Sequence, residues 1–139
     1  MTKRLNYFAT APLAMEILLQ QENYLKEQLS SHKTLLELVK LRVSQINQCA
    51  YCIDMHVKDA LALGESFERI YGLSAWRDFS FYTKEESQAL LWAELITSGA
   101  EVSDENYQQM LDVFGSDVMV NLTVAINAIN SWNRIAKTF

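Results

Sequence analysis

The sequence contains few of the residues that interrupt regular structure, with one proline and four glycines among 139 residues. So few turn residues favour long helices joined by short loops. Stretches in which apolar and polar residues alternate between turn residues, the pattern of a β-strand, are missing as well. These absences predict an all-α fold, and the length predicts a single compact domain over residues 1–139.

Positive charge is also scarce, with 12 Lys and Arg against 17 Asp and Glu and a net charge of −5. Without a basic surface, a nucleic-acid partner is not expected. Nowhere do about 18 apolar residues run together as in a membrane span. Lys3 and Arg4 precede an apolar stretch, but polar residues between Glu16 and Glu22 interrupt it and no small-residue cleavage site follows. The expected location is the cytoplasm, with no membrane partner.

Cysteine is limited to two residues, and both lie in the motif Cys49-Ala50-Tyr51-Cys52. A chain of this length buries enough surface to fold without disulfides, and two cysteines are too few for a secreted disulfide scaffold. His56, one of two histidines, follows four residues after the second cysteine. This grouping favours redox or metal chemistry over a stabilising disulfide.

Helical geometry would place this motif on one face. At about 100° per residue, Cys49 and Cys52 lie roughly 60° apart and Cys49 and His56 roughly 20° apart. The unpaired N–H groups at a helix start stabilise a thiolate, which favours Cys49 as the nucleophile. A histidine one turn after Cys52 can take its proton, which favours Cys52. Spacing alone leaves both assignments open.

Other interpretations of the motif compete with redox chemistry. The cysteines could be small buried residues beside a core histidine. A structural zinc site needs four ligands, and after Cys49, Cys52 and His56 only His32 remains. A catalytic zinc, which needs three, stays possible. Attachment of a c-type haem is excluded because Ile53 follows Cys52, where a histidine would be required. Neither a metal nor a bound cofactor is therefore predicted.

Two further residues are candidates for the site. Glu37 lies in the apolar stretch Leu35–Val39, where it either pairs with Lys33 or Lys40 on a solvated face or faces the cysteine helix as a partly buried proton acceptor. Tyr51, between the cysteines, either orients a substrate or packs.

The helices are expected where apolar spacing meets start and stop residues. The expected segments are Pro12 to about Leu29, Lys33 to Ile46, Ala50 to Leu63 before Gly64, Ser66 to about Trp76, a helix capped by Thr83 and ending at Ser98 before Gly99, one capped by Ser103 and ending near Gly115, and Ser116 to about Lys137. The segment Arg77 to Tyr82 is expected to be a connection.

The motif and its surroundings carry a family resemblance. The sequence Leu41–His56 reads LRVSQINQCAYCIDMH and resembles the signature of the alkylhydroperoxidase D-like (AhpD-like) proteins of the carboxymuconolactone decarboxylase family. The similarity continues through Gly64-Glu65, Ser74–Asp78, Phe81–Glu86 and Trp92–Glu94, and so covers most of residues 30–98. It implies a compact helical AhpD-like domain of about six to seven helices with the redox motif at a helix start, and assembly as trimers or hexamers.

The resemblance also implies a reaction and roles for the motif residues. Glu37 and His56 match the proton relay, Cys52 matches the thiol that becomes a sulfenic acid, and Cys49 matches the resolving thiol. The resulting Cys49–Cys52 disulfide then waits for an external dithiol donor. The expected activity is reduction of small organic hydroperoxides or disulfides, without a further cofactor.

Tyr51 and Trp76 are expected to line the substrate pocket. Tyr51 is also a departure from the family pattern, because the best-known peroxidases carry a second histidine at this position. A phenol is a poor base near neutral pH, so the relay here has one imidazole. Two alternatives remain, namely a redox sensor or stress-linked interaction protein that uses the same pair, and a decarboxylase-type enzyme, whose relatives do not depend on a cysteine pair.

Overall fold

The computed structural model describes residues 3–139. Within this range the chain forms the α-helices α1 (Tyr7–Thr10), α2 (Pro12–Gln28), α3 (Lys33–Ile46), α4 (Ala50–Ala62), α5 (Phe67–Tyr71), α6 (Lys84–Ser98) and α7 (Asp104–Thr138). Two 3-10 segments, Ser30–His32 and Leu73–Asp78, complete the regular structure. The described residues contain no strand, so the all-α prediction is confirmed.

Helix ends follow local chemistry. Pro12 begins α2, where its missing N–H costs nothing. The Thr83 side chain accepts a hydrogen bond from the Glu86 backbone while Glu86 reaches back to Thr83, the predicted capping box. Gly99 ends α6 in the left-handed conformation that glycine adopts without strain. These elements lie within one or two residues of their expected bounds.

Two stretches differ from expectation. The short helix α1 was not predicted, and it forms because the Asn6 side chain accepts a hydrogen bond from the backbone of Ala9. The single helix expected from Ser66 to Trp76 is instead divided at Gly72 into α5 and a 3-10 segment. Phe79 packs on Gly72 so closely that a Cβ there would lie 3.1 Å from its ring. This packing turns the chain before the connection to α6.

The break near Gly115 is present as expected. Gly115 has φ 77° and ψ 170°, a combination that only glycine adopts readily, so α7 consists of two helical parts. By length and composition alone α7 could cross a membrane, a test that the core helix of a water-soluble protein also passes. Part of its apolar stripe is buried against the rest of the fold: Met119, Leu122, Ala125, Ile126 and Ile129.

Helix α3 lies at the centre and contacts α4, α6 and α7. Val39 and Val43 on α3 join the core cluster formed with α2, α6 and α7. Leu38 and Leu41 join a second cluster formed with α4, the 3-10 segment Leu73–Asp78 and α6. A helix buried on two sides in this way holds its remaining side chains at fixed positions, and Glu37 is one of them.

A buried ionic cluster joins α5 to α6. Arg69 pairs with both Glu65 and Glu86, and the Tyr82 hydroxyl donates to the Arg69 carbonyl. Burial raises the pKa of Glu86, but hydrogen bonds from Arg69 and the Thr83 backbone outweigh that effect and leave the pKa below its usual value. The cluster fixes the connection between the two helices.

Candidate active site

The cysteine motif follows a sharp turn at the end of α3. Gln48 has φ 54°, in the left-handed region, and the chain then enters Cys49 in extended conformation. Cys49 is the N-cap of α4, and its Sγ accepts a hydrogen bond from the Cys52 backbone N–H over 3.3 Å. The two buried sulfurs are joined in a disulfide, with the Cα atoms 5.2 Å apart. The structure therefore represents the oxidised form.

His56 on α4 meets Glu37 on α3. The distance from His56 Nδ1 to Glu37 Oε2 is 3.1 Å, and the side chains are only 6% and 14% exposed. An ionised carboxylate is an acceptor only, so Nδ1 carries the hydrogen and Nε2 of a neutral ring keeps its lone pair. Nε2 is buried and has no hydrogen-bond partner among the residues that the structure describes. In this tautomer the imidazole presents a free acceptor nitrogen.

The carboxylate of Glu37 belongs to a longer chain of charges. Lys40 Nζ lies 3.8 Å from Glu37 Oε1 and 3.3 Å from Glu22 Oε2 on α2. The Trp132 indole N–H of α7 donates to the other oxygen of Glu22 over 3.2 Å. Three helices thus fix the position of the carboxylate that orients His56.

A third acidic group makes this region a candidate cation site. Oxygen atoms of Glu37 and Asp59 and a nitrogen of His56 lie within 4.8 Å of one another. Carboxylate and imidazole ligands suit several divalent ions. Two features disfavour a divalent ion here. The Lys40 ammonium already pairs with Glu37, and the Nδ1–H of His56 already donates a hydrogen bond to the same carboxylate. The disulfide also leaves no thiolate to act as a metal ligand.

A cavity of about 240 Å³ opens beside the disulfide. Cys52 and His56 both line it, whereas Cys49 is not among the lining residues. The wall is otherwise mostly apolar and aromatic, and it is formed by Tyr7, Phe8, Leu19, Glu22, Lys40, Tyr51, Met55, Ile129, Trp132 and Ala136. A small molecule in this cavity would meet the sulfur of Cys52, which favours Cys52 over Cys49 as the first nucleophile.

A second, more open depression lies on the other side of the ion pair. Glu37 and Asp59 line it, and Glu22 and Lys40 are shared with the cavity. Lys26 and Lys33 add positive charge to its wall. The Glu37–His56 pair consequently lies between a solvent-facing depression and the apolar cavity.

Of the two residues expected to line the substrate pocket, Tyr51 lines the cavity and Trp76 does not. Tyr51 lines the cavity and is 67% exposed. Trp76 does not line it, since its indole N–H donates to Glu94 over 2.9 Å and the Arg77 guanidinium lies over its ring. Burial raises the pKa of Glu94, but hydrogen bonds from Arg77, Trp76 and Arg42 more than offset this and leave the pKa lowered. Trp76 therefore has a structural place in an ionic network.

Several site residues were missed or underrated from sequence. The sequence suggests Lys40 only as a surface partner of Glu37, and it gives Trp132 no functional role. No pattern in the sequence points to Glu22, Tyr7 or Phe8 as site residues. Their contacts with the site join segments that are far apart in the chain.

Residues 12–95 match the carboxymuconolactone decarboxylase family. An uncharacterised protein of Bacillus subtilis (strain 168), YdfG, is 45% identical over 138 residues, which cover 98% of this chain and 93% of that protein. A crystal structure from Agrobacterium tumefaciens superposes with a TM-score of 0.91 at 37% identity, covering 99% of this chain and 95% of the other. That protein, ATU0492, is described as of unknown function and provisionally as the antioxidant defence protein AhpD.

The matched range contains Glu37, Cys49, Cys52 and His56. The family match covers more than half of the chain, and the structural similarity extends over nearly all of it. The chain is an AhpD-like member of the carboxymuconolactone decarboxylase family.

Proposed function

We propose that the protein is a thiol-dependent peroxidase or disulfide oxidoreductase that reduces organic hydroperoxides through Cys49 and Cys52. One observation carries the proposal. Cys52 and His56 line the same apolar cavity, and the imidazole has its Nδ1 held by a carboxylate while its Nε2 is unpartnered among the described residues. A base in this arrangement can take the proton of a thiol in the same cavity.

The first half of the reaction starts from the reduced pair. His56 Nε2 takes the proton of the Cys52 thiol, and the thiolate attacks the terminal oxygen of the hydroperoxide. The S–O bond forms as the O–O bond breaks, and the alkoxide that leaves takes a proton from the imidazolium to become an alcohol. Cys52 is then a sulfenic acid. Glu37 fixes the tautomer of His56 and stabilises its charged form.

The second half closes the disulfide. The Cys49 thiol loses its proton as its sulfur attacks the Cys52 sulfur. The S–S bond forms, the S–O bond breaks, and the departing hydroxide takes up the proton from Cys49 and leaves as water. In the closed disulfide the Cα atoms are 5.2 Å apart, within the ordinary range for this bond. An external dithiol supplies two electrons and two protons to restore both thiols. No other cofactor takes part.

The proposal includes assembly as a trimer or hexamer in the cytoplasm. Leu13 and Ile17, one turn apart on α2, are 74% and 66% exposed, an apolar stripe that a subunit contact would bury. Light scattering after size-exclusion chromatography measures the mass directly, and a monomer at micromolar concentration would contradict this part.

The test is repeated turnover of an organic hydroperoxide with a dithiol donor, together with a thiol titration. We expect the reduced protein to lose two thiols per chain on mixing with the peroxide, and the dithiol to restore them. The Cys49→Ser/Cys52→Ser double variant serves as the control without a redox pair. Thiols that stay unreactive in the folded protein would refute the proposal. A single oxidation without turnover would indicate a sensor. A decarboxylase or ring-opening activity that stays intact in the double variant would indicate decarboxylase-type chemistry.

A further inference from the structure

We propose that an aromatic wall formed by Tyr7 and Phe8 of α1 and Trp132 of α7 selects hydroperoxides that carry an aromatic ring. This inference rests on the proposed function and names the substrate class of the same cavity. The Phe8 and Trp132 rings are stacked, with centroids 6.2 Å apart and planes 16° from parallel. The ring centroids of Tyr7 and Phe8 are 5.3 Å apart, and all three aromatic side chains line the cavity that Cys52 also lines.

The size of the cavity supports an aromatic substrate. An engineered apolar cavity of about 150 Å³ in another protein holds one benzene ring. The cavity here is about 240 Å³, which leaves room for a ring with a short branched group bearing the peroxide. Hydrogen peroxide would fill a small part of this space and gain no apolar contact. Aromatic side chains around the cavity also offer ring stacking, which aliphatic walls do not.

The wall and the reactive group belong to different parts of the chain. Tyr7, Phe8 and Trp132 all lie outside the family-matched residues 12–95, whereas the reactive residues lie inside them. Helix α1 contains no buried residue, and the segment before it is tied to the end of α7 by a 2.8 Å hydrogen bond from Arg4 to the Thr138 carbonyl. Because α1 adds little to the core, Phe8 can be replaced at small cost to folding.

Phe8 is a cleaner position for the test than Trp132. Trp132 also donates to Glu22, which pairs with Lys40 beside Glu37, so its replacement would disturb the proton relay as well as the wall. The Phe8 side chain has no hydrogen-bonding group, so it reaches the site only by stacking on Trp132 and by lining the cavity. Phe67, an exposed phenylalanine on α5 outside the cavity, provides a matched control.

The experiment compares kcat/KM for cumene hydroperoxide and hydrogen peroxide in the full-length protein, with a dithiol donor in excess. The wild type should prefer cumene hydroperoxide. Phe8→Ala should reduce this preference roughly three- to tenfold, the loss expected for one aromatic contact, mainly through KM. Phe67→Ala should leave both values unchanged. Circular dichroism and thermal unfolding verify that each variant is folded.

A second measurement does not depend on turnover. Isothermal titration of the oxidised protein with 2-phenyl-2-propanol, the alcohol product of cumene hydroperoxide, should show binding that Phe8→Ala weakens by a similar factor. If Phe8→Ala turns over peroxide with an unchanged preference for cumene hydroperoxide, or binds the alcohol as tightly as the wild type, the aromatic wall does not select the substrate. Either result would leave the proposed function intact. No turnover of either peroxide by the folded, reduced wild type would overturn the proposed function and this inference with it.

Discussion

Replacing Glu37 by glutamine tests whether the carboxylate acts through His56. The glutamine keeps the shape of the side chain and can still accept the Nδ1–H, but it has no charge. The variant therefore loses only the attraction between the carboxylate and the imidazolium that forms as Cys52 gives up its proton. We expect slower oxidation of Cys52 with little change in the fold.

The size of the effect follows from the geometry. Two unit charges 3.1 Å apart attract by about 5 kcal/mol at an effective dielectric constant of about 20. Lys40, 3.8 Å from the other carboxylate oxygen, opposes a large part of this attraction, and solvent at the 14% exposed carboxylate screens more. About 1.5 to 3 kcal/mol remains, which corresponds to a rate roughly 10- to 150-fold lower.

Stopped-flow measurement of thiol loss in a single turnover reports this step without the reductant. Glu68→Gln, which removes an exposed carboxylate on α5, controls for the change in net charge. Glu37→Asp keeps the charge and should recover part of the rate. If Glu37→Gln reacts as fast as the wild type while its thermal unfolding is unchanged, Glu37 plays no part in deprotonating Cys52.

Four further outcomes follow from the structure. Cys49→Ser should consume one equivalent of hydroperoxide and then stop, detected as a trapped sulfenic acid by mass spectrometry, whereas continued turnover would contradict its resolving role. Gly115→Ala should lower the free energy of unfolding in urea by about 1 to 3 kcal/mol, because φ is 77° and no neighbouring atom lies near the added Cβ, so backbone strain alone is measured. Arg69→Met should lower the free energy of unfolding by about 2 to 4 kcal/mol, because it leaves two buried carboxylates without their cation. Lys58→Met, at an exposed ion pair, should lower it far less, and equal losses in the two variants would refute the distinction. The pKa of Glu94 is lowered in the folded state, so the ionised carboxylate stabilises the fold above the unfolded pKa of about 4.3, and this stabilisation is lost as the pH falls below that value. Glu94→Gln should therefore unfold at a lower temperature than the wild type at pH 7. The difference between the two unfolding temperatures should shrink towards pH 3.

Much of the fold could be predicted from the sequence because its signals are local. The Lys33–Ile46 helix has apolar residues at helical spacing, and the Thr83 capping box and Gly99 mark both ends of α6. Gly115 marked the break in α7 because no other residue suits its backbone angles. The division at Gly72 was missed because its cause is the packing of Phe79, which appears only when the chain is folded.

For the candidate site, the sequence named four side chains that the structure brings together, Glu37, Cys49, Cys52 and His56, but not the residues around them. The spacing of the cysteines and His56 on one helix face is a local property. The place of Glu37 beside His56 depended on the family resemblance, because composition alone gave no reason to prefer it over a solvated face. Glu22 and Trp132 reach the site from α2 and α7, and no pattern in the sequence links residues 110 positions apart.

The Glu37–His56 pair lies between two openings, which separates its proton exchange with solvent from the chemistry at Cys52. Glu37 lines the solvent-facing depression and His56 lines the apolar cavity, so under the proposed function the pair can exchange a proton with solvent without using the space that a peroxide would fill. Proton exchange between the pair and solvent is then independent of the departure of the alcohol from the cavity. An inhibitor lodged against Cys52 would block the sulfur chemistry while leaving proton exchange with solvent intact.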